Sequence, residues 1–173
     1  DWKKGGHGAM NLHDAVVQSC DVYFYKLAVA MNMHGMKRFL APFGFGKKTG
    51  VDLSNESEGI LPSPEWKAAR KQIWYPGETV ITGIGQGSIL VTPLQLADAM
   101  SGLANQGVRM KPQLVRAIVD AKTQARREIE PVVTVQIPLK DRHNLDIQIQ
   151  TLTDVAHTNR GTAYGIGHNS PYK

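Results

Sequence analysis

Apolar positions recur at helical spacing through much of the first half of the chain. Asn11 to Gln18 reads as a short helix ending at Ser19. Val22 to Met31 (VYFYKLAVAM) is nearly all apolar, which predicts a helix buried on most sides. A further helix starts at Gly35 and runs to Phe43, with Pro42 marking its limit. Residues 44–63 read as loop, punctuated by Gly44, Gly46, Gly50, Gly59 and Pro62. Pro64 to Lys71 is a short helix with Glu65 near its start and bases near its end, matching the helix dipole. The clearest pattern follows a glycine-rich hinge formed by Gly83, Gly85 and Gly87 around Gln86. Thr92 can cap the next helix and Pro93 suits its first position. Leu96, Ala97, Met100, Leu103 and Ala104 then make one apolar stripe before Gly107, which predicts a well-capped core helix. Further on, Gln113 to Val119 alternates loosely as a strand, and Ala121 to Glu130 is an exposed turn or hairpin tip. His143 to Thr158 fits a helix closed by Gly161. There is no internal repeat, and no linker strong enough to split domains.

Composition narrows the class without naming a function. The 173 residues suffice for one domain with a real core, and 42% hydrophobic content is ordinary for a globular chain. No run approaches the roughly 20 apolar residues of a membrane span, and no signal peptide opens the chain. The net charge of +5 reads as a solvated basic face. Adjacent bases occur as scattered pairs, among them Lys3-Lys4, Lys47-Lys48 and Arg126-Arg127, and aromatics do not interleave with a basic run, so a nucleic-acid partner is not expected. The lone Cys20 rules out an internal disulfide framework. In an oxidising compartment such a thiol is buried, paired with something outside the chain, or bound to metal.

Several blocks carry a resemblance. They are DWKKGGHG at residues 1–8, SCDVYFYKLA at 19–28, FGFGKKTGVDL at 43–53 and EGILPSPEW at 58–66. WYPGETVITGIGQG at 74–87, TPLQLADAMSGLANQG at 92–107, and RGTAYG with SPYK near the end follow. In this order the blocks closely resemble class B penicillin-binding proteins and cover nearly the whole chain. The DWKK…GHG lead-in and an SxD in place of SxN favour the cell-elongation member over the division-specific one. The fold implied is α/β (α+β), of the penicillin-binding transpeptidase or serine β-lactamase-like kind, with a five-stranded antiparallel sheet flanked by helices. This chain would carry mostly the helical lobe.

The implied chemistry needs an SxxK whose serine is the nucleophile, an SxN-type turn and a KTG strand. All three strings occur here, but two read as decoys. Lys48-Thr49-Gly50 follows Ser19 by fewer than 30 residues and lies in a glycine-rich loop, not an apolar strand. Ser170-Pro171-Tyr172-Lys173 spells SxxK, yet it comes after the SxD and too near the chain end for a helix to fix one face. Ser19-Cys20-Asp21 remains as the active-site motif, with Ser19 and Asp21 as catalytic candidates. The alternative is that Ser19 merely caps the helix starting near Val22. Asp21 departs from the commoner Asn. An ionised carboxylate only accepts hydrogen bonds, so the usual donation to a substrate carbonyl is in doubt, and Asp21 could instead orient a lysine or a backbone amide.

Residues 1–173 thus read as a partial transpeptidase domain lacking the SxxK helix and the KTG strand. The resemblance implies a parent D,D-transpeptidase that cross-links D-Ala-D-Ala stem peptides through a serine acyl-enzyme during cell-wall elongation. It implies β-lactam inhibitors, an elongation-complex glycosyltransferase as partner, and a place on the periplasmic side of the inner membrane, anchored by a segment outside this chain. A non-catalytic penicillin-recognising sensor or scaffold is the alternative. No cofactor is expected for the catalytic chemistry. Asp1, His7 and Cys20, within twenty residues, are ligand types zinc accepts and suggest a structural zinc site around the SxD turn. Against it, Cys20 could be a small buried residue and His7 part of a surface loop.

Overall fold

The computed structural model describes residues 3–171. They form two compact units, each assembled from discontinuous segments. The first gathers the residues up to Met36, Ser63–Ser88, and those from Leu139 onward; the second gathers Lys37–Pro62 and Ile89–Pro138.

In the first unit, α1 spans Leu12–Val17. Its cap is Asn11, whose side-chain oxygen accepts the Asp14 N–H at 2.8 Å. Helix α2 spans Asp21–Leu40, but Asn32 (φ 54°, ψ 172°) breaks it into two segments, as the separate patterns on either side of residue 32 predict. The Asn32 side chain accepts the Gly35 N–H at 3.0 Å and so starts the second segment. Pro42 closes it in a 3-10 turn over Ala41–Phe43, and from Lys37 on these residues belong to the second unit.

The expected burial of Val22 to Met31 on most sides is not what the structure shows. Of these residues only Ala28 is buried, while Val22 is 44% and Val29 is 63% exposed. Ala28 joins Met33 and Met36 in a small cluster, with Met31 and Trp74 packed on it. Continuous apolarity marks the helix but not how many of its faces the described residues cover.

Two short helices follow in this unit. Helix α3 (Pro64–Ala68) is capped by Ser63, and α4 (Pro76–Thr82) has no counterpart in the sequence reading. The two are joined by a Lys67–Glu78 ion pair at 2.5 Å whose side chains are mostly buried. That lysine, with the Tyr75 N–H, holds the Glu78 carboxyl below its usual range. Helix α6 (Arg142–His157), capped by Asp141, packs on α1, and the short α7 (Tyr164–Gly167) packs on α6.

The second unit is organised by α5 (Pro93–Ala104). Thr92 caps it as expected, in a reciprocal box with Gln95. The buried face, however, is not the predicted stripe. Leu96 is 52% and Met100 is 41% exposed, and Ala97 and Ala104 are exposed too. Gln95, Asp98, Ala99 and Gly102 are the buried positions. The reason is polar. Gln95 donates to the carbonyls of Lys47 and Glu58 at 2.7 and 2.8 Å, which fastens the 44–63 loop to the helix. Asp98 pairs with Arg109, whose other guanidinium nitrogen donates to the Pro42 carbonyl at 2.8 Å. Gly44, at φ 93°, leaves room for that guanidinium where a Cβ would collide with it.

Arg109 lies in β1 (Val108–Met110), which pairs antiparallel with β4 (Val133–Gln136) across a bulge. Strands β2 (Ala117–Val119) and β3 (Arg126–Glu128) form a second antiparallel pair; only the end of the stretch from Gln113 is strand, and of the exposed stretch 121–130 only the part before Arg126 is the turn, the rest including β3.

Candidate active site

The Ser19 turn grows out of the end of α1. The Cys20 N–H donates to the Ala15 carbonyl at 2.8 Å, and the Ser19 N–H to the Val16 carbonyl at 3.2 Å. This nested pair is the Schellman stop, in which the residue past the cap takes a left-handed backbone. Ser19 occupies that position with φ 52°. Glycine is the usual occupant, because a side chain there costs roughly 1–2 kcal/mol. The fold alone would therefore favour glycine, and what the position gains from serine is an exposed hydroxyl.

That hydroxyl does not cap α2. It lies 3.0 Å from the hydroxyl oxygen of Thr162. Thr162 is itself anchored, since its backbone N–H donates to the Val17 carbonyl at 3.1 Å, one of the orphan acceptors at the end of α1. Two side-chain contacts also join these segments. The His13 ring meets the Asp154 carboxylate at 2.8 Å, and Arg160 donates to Asp14 at 3.1 Å. The Asp154 hydrogen bond lifts the His13 pKa above its ordinary value despite some opposing desolvation, and His13 in turn depresses that of Asp154. Gly161 completes the segment, because a Cβ there would run into the Val155 carbonyl of α6. RGTAYG is one of the characteristic blocks, but nothing in the sequence marks Thr162 within it. Two residues 143 positions apart share no periodicity that could link them.

Asp21 starts α2, half-buried, and its carboxylate has no hydrogen-bond or ion-pair partner among the described residues. Cys20, between the two candidates, is 5% exposed. It shares with His7 the wall of an open cavity of about 690 Å³, whose lining also includes Tyr23, Lys26 and Leu27. His7 and Cys20 thus line one open cavity. Asp1, the third ligand candidate, lies outside the described residues, among which no three His, Cys, Asp or Glu side chains are grouped for a metal.

The other two strings are placed differently. Thr49 of Lys48-Thr49-Gly50 is buried in a loop, not a strand. Its hydroxyl and N–H both donate to Glu56, at 2.6 and 2.7 Å, and the Gly50 N–H donates to the same carboxylate at 3.0 Å. Burial would raise the Glu56 pKa, but these hydrogen bonds outweigh it and keep the group below its usual range. Of the SPYK string, Ser170 follows α7 outside any helix, and Tyr172 and Lys173 lie outside the described residues.

Comparison with known proteins identifies the family. The model of the penicillin binding protein transpeptidase domain matches residues 1–173. The peptidoglycan D,D-transpeptidase MrdA of Acinetobacter baumannii is 52% identical over 123 residues, which are 70% of this chain and 18% of that protein. Pseudomonas aeruginosa PBP2, solved in complex with WCK 5153, is 40% identical with a TM-score of 0.86 over 99% of this chain and 38% of that one. Helicobacter pylori PBP2, solved in complex with MreC, is 36% identical with a TM-score of 0.77 over 99% of this chain and 30% of that one. The chain thus spans well under half the length of each of these relatives. Its helices and small antiparallel sheets belong to the mixed α/β penicillin-binding transpeptidase fold, and the chain is a member of the penicillin-binding protein transpeptidase family.

Proposed function

We propose that the protein carrying this chain is a peptidoglycan D,D-transpeptidase of the cell-elongation type, and that this segment supplies its SxD turn. The observation that carries the reading is Ser19, a serine held left-handed where glycine would cost less, with its hydroxyl exposed. Strain kept at a polar, exposed side chain fits a group that acts on a substrate.

In this reading a serine from outside residues 1–173 attacks the carbonyl between two D-alanines. Ser19 relays a proton toward the amine of the departing D-alanine. Asp21, with no partner of its own among the described residues, is free to accept a hydrogen bond from a lysine or a backbone amide at the cleft. The sheltered Thr49 hydroxyl takes no part. The protein would work on the periplasmic side of the inner membrane. No helix among the described residues is long and apolar enough to cross a membrane, so this reading places the anchor elsewhere in the protein. β-Lactams would acylate the nucleophile. A glycosyltransferase of the elongation complex is the expected partner, and the solved PBP2–MreC complex of a relative supports assembly with partner proteins. Cross-linking of pentapeptide stems by the full-length protein, and its loss on adding penicillin, tests the reading.

A structural zinc ion held by His7, Cys20 and Asp1 belongs to the same proposal, with a further ligand from water or from outside this chain. The donor set suits zinc, and the shared cavity wall of His7 and Cys20 supports it. Zinc would protect the thiolate and tie the Ser19 turn to the residues before α1. Elemental analysis of protein purified without chelator should find about one zinc per chain, and Cys20→Ser should lower both the zinc content and the melting temperature. A metal-free protein whose Cys20→Ser variant melts at the parental temperature would remove the ion from the account.

A further inference from the structure

We infer that Thr162 is a positioning residue for the Ser19 hydroxyl. The inference rests on the proton-transfer reading of Ser19 and adds a second residue to it.

A serine hydroxyl is both a donor and an acceptor. It offers one donor and two acceptor positions, and it rotates freely unless something holds it. A proton relay needs the hydroxyl aimed, because a misdirected group loses most of its catalytic advantage. The strained backbone at Ser19 fixes where the Cβ points but not the rotation of the hydroxyl. Thr162 supplies the missing restraint. Its hydroxyl oxygen, 3.0 Å away, takes up one of the three positions on Ser19 and leaves the others for substrate and lysine.

Thr162 is built to hold still. Its β-branched side chain has few χ1 choices. Its N–H is bonded to the Val17 carbonyl of the helix that ends in the Ser19 turn, so the two hydroxyls ride on one framework. The Ala163 N–H donates to the Val155 carbonyl at 3.1 Å, which fixes the residue after it to α6. The Arg160–Asp14 and His13–Asp154 contacts tie the same two segments on either side. Both hydroxyls are exposed, so the hydrogen bond adds little to folding, and the geometry is better explained by aim than by stability.

The test uses the full-length protein and four variants: Thr162→Val, Thr162→Ser, Ser19→Ala and the double Ser19→Ala/Thr162→Val. Thr162→Val keeps the shape and removes the hydroxyl. It should lower the turnover number for cross-linking by about three- to tenfold, the span of one net hydrogen bond, with KM unchanged. Thr162→Ser should restore the rate to within about twofold, because the hydroxyl returns. The double variant should be no slower than Ser19→Ala alone, since Thr162 acts only through Ser19. The inference is overturned if Thr162→Val turns over at the parental rate while Ser19→Ala is impaired. It is equally overturned if Thr162→Ser is as slow as Thr162→Val, or if the valine costs as much on the Ser19→Ala background as alone. Ser19→Ala at the parental rate would overturn the reading of Ser19 itself. Should Thr162→Val fail to fold, as judged by its melt, Thr162→Ala stands in for it under the same comparisons.

Discussion

Ser19→Gly in the full-length protein should cut stem-peptide cross-linking by roughly 100-fold or more while leaving the fold as stable as before or slightly more so. The two halves of this expectation have separate causes. Losing the hydroxyl removes a positioned proton-transfer group, and such groups contribute roughly 100- to 10,000-fold. Placing glycine at φ 52° relieves the left-handed strain, which is worth about 1 kcal/mol. Ser19→Ala should lose as much activity without the gain in stability, because alanine keeps the Cβ. Cross-linking rates and thermal melts of the three proteins separate these effects. A serine kept only to end α1 would behave in the opposite way, since glycine would then match or improve every property. A Ser19→Gly protein that cross-links at the parental rate would reduce Ser19 to a helix stop.

Asp98→Ala should be the most damaging single change to the second unit, destabilising it by about 3–5 kcal/mol. The Asp98 and Arg109 side chains are 1% and 5% exposed, so truncating the aspartate leaves a guanidinium buried without its counter-charge. Arg109 would keep its hydrogen bond to the Pro42 carbonyl, which satisfies only part of its donor capacity. The pair is not thereby a large net source of stability, because both charges were desolvated to form it. The control is a double replacement, Asp98→Leu with Arg109→Met, which should recover much of the loss by making the site apolar. Denaturant unfolding of the variants checks this. Asp98→Ala within about 1 kcal/mol of the parent would mean that water reaches the guanidinium and that the pair behaves as a surface one.

Much of this was legible in the residues, and the reasons for success and failure differ by element. The Thr92 cap and the start of α5 follow from local chemistry, in which a hydroxyl, a proline and the following backbone N–H groups act within one turn. The polar hairpin tip between β2 and β3 was legible for the same local reason. The buried face of α5 was not. The apolar stripe of Leu96 and Met100 suggested one face, but Asp98 and Gln95 find their partners in Arg109, Lys47 and Glu58, many residues away. A polar residue can be buried once such partners exist, and no periodicity announces them. Glutamine three residues after Thr92 was a readable sign of the capping box, though not of its bonds to the loop. Helix α4 was hidden because Pro76-Gly77 reads as turn chemistry, and the helix is held by Glu78 through Tyr75 and Lys67.

The SxD string marked the candidate site by resemblance, and the structure adds why the turn forms. Ser19 closes a Schellman stop that a glycine would have made obvious. Its partner Thr162 could not be inferred, because the contact spans almost the whole chain. That Lys48-Thr49-Gly50 lies in a loop was legible from its flanking glycines, and Glu56 supplies the physical reason it is held as one.

The central claim is that this segment serves a serine D,D-transpeptidase without carrying its nucleophile. Incubating the full-length protein with penicillin and with pentapeptide-bearing glycan, then mapping products and adduct by mass spectrometry, tests it most directly. The account predicts cross-linked dimers that have lost one D-alanine, their disappearance with penicillin, and a single penicilloyl serine outside residues 1–173. A penicilloyl group on Ser170, Ser19 or any other serine of this segment, or a protein that forms no cross-links, would contradict it.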